Sequence, residues 1–163
     1  MNPRWLYWLP LGAASLHIFE EFAFPGGFAA WYRRHRPGIE RSITPRFLLI
    51  VNGLLLVLCY DVAALHDRPL GVFLWLLVAA LLFANGLWHL RAALSTHSYS
   101  PGVVTGVLVY LPLGLLGYLR FLSTGAVSPA RAVLAFAIGA SYQFWANLLH
   151  HWRAGKVAAP VGR

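Results

Sequence analysis

The amino-acid sequence predicts an all-α polytopic membrane protein, a bundle of five transmembrane helices forming one domain over residues 1–163, and three observations carry that prediction. Hydrophobic residues make up 59% of the chain and charged ones only 11%, which leaves too little polar surface to cover a water-soluble globule. Apolar runs of about 20 residues, the length a helix needs to cross a bilayer's hydrocarbon core, recur from end to end. Charges and Pro, Gly, Ser and Thr clusters fall between those runs, where chain reversals belong. No repeat, linker or low-complexity tract divides the sequence.

The helices are expected near residues 5–24, 47–65, 70–94, 103–122 and 130–152. Pro25-Gly26-Gly27 ends the first, and Thr44-Pro45 opens the second. Asp67-Arg68-Pro69 separates the second from the third; Ser100-Pro101-Gly102 and Ser128-Pro129 open the fourth and fifth. Proline is favoured at the first helical position and disfavoured inside a helix. The first helix is expected to stay uncleaved, because Pro10 interrupts its apolar run and Glu20 and Glu21 stand where a small-residue cleavage site would be. In the fourth, Pro112, Gly114 and Gly117 are expected to bend the helix and leave room beside it.

Residues 25–45 form a basic interfacial segment, with Trp31 and Tyr32 beside Arg33, Arg34 and Arg36. An anchor at the headgroup layer is favoured over a dedicated polybasic lipid site. The net charge of +8 points to no nucleic acid, since the Arg cluster is explained by membrane orientation and no recognition motif accompanies it. The one cysteine, Cys59, excludes an intrachain disulfide and a Cys-based metal site. Of the 13 Lys and Arg residues, Arg33, Arg34, Arg36, Arg41, Arg46, Arg91, Arg153, Lys156 and Arg163 lie on one side. Arg4, Arg68, Arg120 and Arg131 lie on the other. Basic loops resist translocation, so the N-terminus is expected outside and the C-terminus in the cytoplasm, in a bacterial-type inner (plasma) membrane.

Ionisable side chains in a spanning helix are costly and are read as functional by default. His17, Glu20 and Glu21 stand at i, i+3 and i+4 on one face of the first helix. Asn85 and His89 lie one turn apart in the third, Asn52 is in the second, and Asn147 with His150 and His151 is in the fifth. At a rise of 1.5 Å per residue, His17, Asn52, His89 and Asn147 each fall roughly 8–10 Å from a cytoplasmic helix end. The opposite side offers chiefly Asp61 and His66. One polar pocket near the cytoplasmic leaflet accounts for this.

Histidine and carboxylate side chains at this spacing suit a divalent metal, zinc or iron. The candidate ligands are His17, Glu20, Glu21 and His89. Asn52, Asn85, Asn147 and His150 are candidates to line the pocket and orient the ligands. Di-metal helical bundles use Glu-x-x-His; here the order is reversed, and one metal fits better than two. The competing reading is simple pairing of His and Glu across helices. For His150 and His151, Trp152 and Arg153 next to them suit an interfacial position; His35, His66 and His97 read as loop residues. Tyr99 is a candidate proton donor. Gly102 and Gly106 read as a helix start with close packing.

His17, Glu20 and Glu21, the N-x-x-x-H of Asn85 and His89, and the Y-x-P-G of Tyr99 to Gly102 together resemble the HXXEE-domain family of integral membrane proteins. The resemblance covers most of the chain and implies a membrane enzyme, with metal dependence among its readings. It names no substrate.

Three functions compete. The first is an intramembrane metal-dependent enzyme acting on an apolar or amphipathic lipid or isoprenoid-type substrate, with Glu20, Glu21 and Tyr99 as catalytic candidates. The second is a metal-free acid–base isomerase or cyclase of a similar substrate. The third is a small proton-coupled transporter. The bilayer is the constant partner, with self-association into a homo-oligomer as a further one.

Overall fold

A computed structural model describes residues 3–23, 27–66, 68 and 70–158. Phe24, Pro25, Gly26, Asp67, Pro69 and Arg163, on which some expectations rest, lie outside the described residues. The regular elements among those described are all helical, with no strand.

A 3-10 segment at Arg4–Trp8 runs into α1 (Leu9–Ala23). Then come α2 (Gly27–His35), a 3-10 turn at Glu40–Ser42, α3 (Pro45–Ala64) and α4 (Gly71–Thr96). α5 runs over Val103–Ser123, and α6 (Pro129–Ala140) and α7 (Tyr142–Ala158) are the last described elements. Among the described residues four stretches are long and apolar enough to cross a membrane: Pro45–Ala64, Gly71–Thr96, Val103–Ser123 and Pro129–Lys156. The first predicted helix is shorter than these, since its α-helical part has 15 residues. The last is interrupted once, at Ser141, whose hydroxyl bonds back to the Ile138 carbonyl at 2.7 Å, a local bond that competes with helix continuation.

The helix starts follow their expected chemistry. Thr44 caps α3 by accepting from the Phe47 N–H at 3.2 Å, with Pro45 in the first turn; Ser128 caps α6 in the same way, followed by Pro129. Each satisfies a backbone donor that the helix cannot pair internally.

α4 is the centre of the bundle, with Trp75, Leu76, Val78, Ala79, Ala80 and Leu82 fully buried. Small residues let its neighbours approach closely, as in lipid, where packing rather than the hydrophobic effect joins helices. A Cβ on Gly86 of α4 would stand 2.7 Å from the Gly106 carbonyl oxygen of α5. Gly114 and Gly117 face the Phe83 and Trp75 rings of α4. They make room for aromatic side chains, and the irregularity in α5 lies earlier, as a π-helical turn over Gly106–Tyr110. That turn ends just before Pro112, which has no N–H to give the Leu108 carbonyl.

Leu49, Leu54, Leu108, Val133 and Phe144 are among many large apolar side chains left exposed on the outside of the bundle. Apolar surface on this scale marks an interaction surface.

Candidate functional site

α1 presents His17, Glu20 and Glu21, all buried, toward the start of α5, and the two carboxylates part there. Glu20 Oε1 accepts from the Tyr99 hydroxyl at 2.7 Å and from the Val104 N–H at 3.0 Å. Its Oε2 accepts from the Thr105 N–H at 2.7 Å and from the Thr105 hydroxyl. Glu20 thus caps α5 from another helix, a negative charge on unpaired N–H groups at a helix N-terminus. The local cap position holds Gly102, at φ +96°, which has no side chain to do so. A Cβ on Gly102 would stand 2.7 Å from Cε1 of His17 and 2.9 Å from Cε1 of His89. Gly102 is therefore required by backbone conformation and by space at the site, whereas Gly106 serves close packing as expected.

Thr105 ties this cap to the histidine. Its hydroxyl proton goes to Glu20, so its oxygen accepts from His17 Nδ1, 2.8 Å away. In the neutral ring this assigns a lone pair to His17 Nε2. The His89 Nδ1 lies 3.3 Å from the Ser100 Oγ. The two Nε2 atoms then converge on Glu21 Oε1, at 3.5 Å from His17 and 3.2 Å from His89. One ligand atom from each of His17, Glu21 and His89 falls within 4.8 Å of the others. Tyr110, delivered by the π-helical turn, stacks on His17 with centroids 4.4 Å apart, and Trp88 meets His89 edge-on.

These groups line a cavity of about 430 Å³, within the range of small-molecule sites. His17, Glu21, Asn52, Asn85, His89, Asn147 and His150 all border it, so polar residues of α1, α3, α4 and α7 meet around one cavity. Glu20 and Tyr99 are not among its lining residues. Both oxygens of Glu20 are taken by α5, which removes it from the expected ligand set, and Tyr99 donates to Glu20 instead of facing the cavity. Burial, and then the Glu20 carboxylate, raise the Tyr99 phenol above its ordinary pKa.

Around this cavity His17 Nε2, Asn85 Oδ1 and the Tyr110 hydroxyl are buried without a hydrogen-bond partner. Native structures leave few such groups, and each calls for a cause. The donor set, two imidazoles and a carboxylate, fits a divalent metal of the zinc or iron type.

Several contributors escaped the sequence reading. Thr105, Ser100, Tyr110, Trp88 and Tyr32 carry no metal-ligand signature; the one signal was Thr105 three residues after Gly102. α2, expected only as an interfacial anchor, also contributes to the cavity. Trp31 and Tyr32 are buried, and Tyr32 stacks on Trp88 and packs beside His150, so the segment walls the cavity. His35, read as a loop residue, is the last residue of α2 and stacks on Trp31.

Residues 8–116 match the family described as "Protein of unknown function with HXXEE motif". The chain belongs to this family. The matched span carries His17, Glu20, Glu21, Asn85, His89 and the Y-x-P-G segment, and so all three candidate ligands. The α7 residues of the cavity wall, Asn147 and His150, lie beyond it. No curated protein and no solved structure matches the chain.

Proposed function

We propose that this HXXEE-family chain is an intramembrane enzyme in which His17, Glu21 and His89 hold one divalent metal, zinc or iron, beside a cavity that takes an apolar or amphipathic lipid or isoprenoid-type substrate. The carrying observation is that two imidazole Nε2 atoms and one carboxylate oxygen converge in a buried place where His17 Nε2 has no hydrogen-bond partner. Two imidazoles and one carboxylate with an open side is a donor set shared by catalytic zinc and non-haem iron sites. A metal held there supplies Lewis-acid polarisation of a substrate oxygen or activation of a water. The chain's own residues do the rest. Thr105 and Ser100 hold the outer imidazole nitrogens, Glu20 fixes Thr105, and Tyr110 and Trp88 hold the ring planes. Apolar side chains such as Leu55, Leu58 and Leu82 keep water from most of the cavity wall.

In this reading the short first helix, with its preceding 3-10 segment, is a fifth span. The N-terminus lies outside, and the cavity is near the cytoplasmic leaflet of a bacterial-type inner membrane. Metal analysis of protein purified without added metal tests the proposal. About one equivalent is expected in the wild type and a loss of most of it in Glu21→Gln and His17→Ala. A folded, metal-free wild type that still turns over substrate would overturn it.

One observation favours the metal-free alternative. Glu21 Oε1 lies 3.2 Å from His89 Nε2, close enough to share a proton, with His17 Nε2 next to it at 3.5 Å, the arrangement an acid–base isomerase or cyclase would use. Activity that resists chelators and vanishes in Glu21→Gln would select it. A proton-coupled transporter finds less support, because Val62, Trp75, Leu76 and Phe121 fill the other half of the bundle.

A further inference from the structure

The basic residues on the cavity's side of the bundle fall into two groups. Arg33, Arg34, Arg41, Arg46, Arg91 and Lys156 are exposed, as residues that only set orientation need to be. Arg36 and Arg153 are half-buried and, without lining the cavity themselves, contact side chains that do. Arg36 donates to Asn147 Oδ1 at 3.2 Å and lies over the Tyr32 ring. Arg153 lies over the Phe47 ring, 4.1 Å from its centroid, and donates to the Ser42 carbonyl at 3.4 Å. Ser42 in turn bonds His150. Asn147, Tyr32, Phe47 and His150 all line the cavity.

Among the described residues neither guanidinium has a counter-ion within ion-pair distance. The chain has five acidic residues, and Glu20 and Glu21 are engaged at the centre. Among the described residues no carboxylate pairs with Arg36 or Arg153. The Arg153 Nε is buried with no hydrogen-bond partner. Glu40, in the same 3-10 turn as Ser42, is the nearest acid to Arg36 in the chain order, and its buried Oε2 has no hydrogen-bond partner. With no carboxylate in ion-pair range among the described residues, the two partly desolvated cations keep donors to spare for an anion. Guanidinium forks match the oxygens of phosphate and carboxylate.

We infer that Arg36 and Arg153 form an oxyanion subsite at the cavity mouth, so that the ligand is an anionic amphiphile. Its phosphate or carboxylate head sits between the two guanidinium groups, and its single apolar chain runs down the cavity toward His17, Glu21 and His89. This names the substrate class of the site proposed above. It rests on that cavity being a ligand site and does not depend on the metal.

Equilibrium binding to the full chain in phosphatidylcholine nanodiscs tests it, with radiolabelled hexadecyl phosphate as probe and palmitate and hexadecanol as competitors. Palmitate is expected to compete, and hexadecanol to compete at least tenfold more weakly. Arg36→Gln and Arg153→Gln are each expected to weaken hexadecyl phosphate tenfold or more while leaving hexadecanol unchanged. Arg33→Gln with Arg34→Gln, a change of exposed charge only, should leave the probe's affinity alone. Lysine at 36 or 153 keeps the charge without the fork and should give intermediate affinity. Should a glutamine variant misfold, the headgroup preference of the wild type decides by itself. Equal competition by hexadecanol, or an equal loss in the Arg33 and Arg34 variant, would overturn the inference.

Replacing part of the phosphatidylcholine by phosphatidylglycerol identifies the source of the anion. Displacement of the probe assigns it to bilayer lipid, and no displacement assigns it to a dedicated single-chain ligand; either supports the subsite. Headgroup selectivity that persists in chelator-stripped protein separates this inference from the metal proposal, which stands or falls on metal content.

Discussion

Thr105→Val is the sharpest test of how the site is held. Valine nearly matches threonine in shape, so the change removes the hydroxyl and little else. Two interactions go with it: the bond to Glu20 Oε2, and the one the oxygen accepts from His17 Nδ1 at 2.8 Å. Glu20 keeps the backbone donors of Val104 and Thr105 and the Tyr99 hydroxyl, so the helix cap survives. His17 keeps no partner at Nδ1. A buried donor left unpaired costs about 1–3 kcal/mol in water-soluble proteins, and hydrogen bonds between membrane helices average nearer 0.6 kcal/mol. A loss of roughly 1–2 kcal/mol of stability follows, with the fold intact. The larger effect falls on the proposed ligand ring, which keeps its stacking on Tyr110 but loses the bond that sets its Nδ1 and so its Nε2. Loss of a residue that orients a metal ligand typically weakens metal affinity 10–100-fold. The assay is competition for zinc against a chelator of known affinity, with thermal unfolding in the same detergent. Thr105→Ser, which restores the hydroxyl, should recover most of the affinity. A Val variant that binds metal as the wild type does, or a Ser variant no better than Val, would refute the chain of contacts from Glu20 through Thr105 to His17.

Other perturbations separate the roles of neighbouring residues. Gly102→Ala forces a Cβ at φ +96° against both imidazoles; strain of about 1–3 kcal/mol should appear as a lower unfolding temperature together with loss of metal. Glu20→Gln is expected to destabilise the fold more than to empty the site, and Glu21→Gln the reverse, as read by unfolding and elemental analysis on the same samples. Tyr99→Phe removes one bond from the half-exposed edge of the cap, and a change of about 1 kcal/mol or less in unfolding free energy is expected, with metal content unchanged. Gly117→Leu drives a side chain into the Trp75 ring at the centre of the bundle. Overpacking of about 1–3 kcal/mol or more should show as poor recovery of monodisperse protein.

The sequence by itself determined the helical class and, of the five spans it predicts, the four long apolar helices; it also sets the polar residues of four helices at a similar distance from the helix ends. These follow from local rules: apolar run length, Pro and capping residues at helix starts, and a fixed rise per residue that turns position into height. His17 and Glu21 could be placed on one face because i and i+4 always are. His89, Asn52, Asn85 and Asn147 could be set at the same level for the same reason. Helix rotation and inter-helix contact are not local, and only the tertiary structure decided them. Adjacent carboxylates point about 100° apart on a helix, so a sequence that reads Glu-Glu does not say which one meets α4 and which meets α5. Packing turned Glu21 to the cavity and gave Glu20 to the N–H groups of α5. The same packing brought Thr105 under His17, Tyr110 onto its ring and Tyr32 over the cavity. It also separated Arg36 and Arg153 from the exposed basic residues around them, because residues alike in sequence differ once neighbouring helices take water away from some of them.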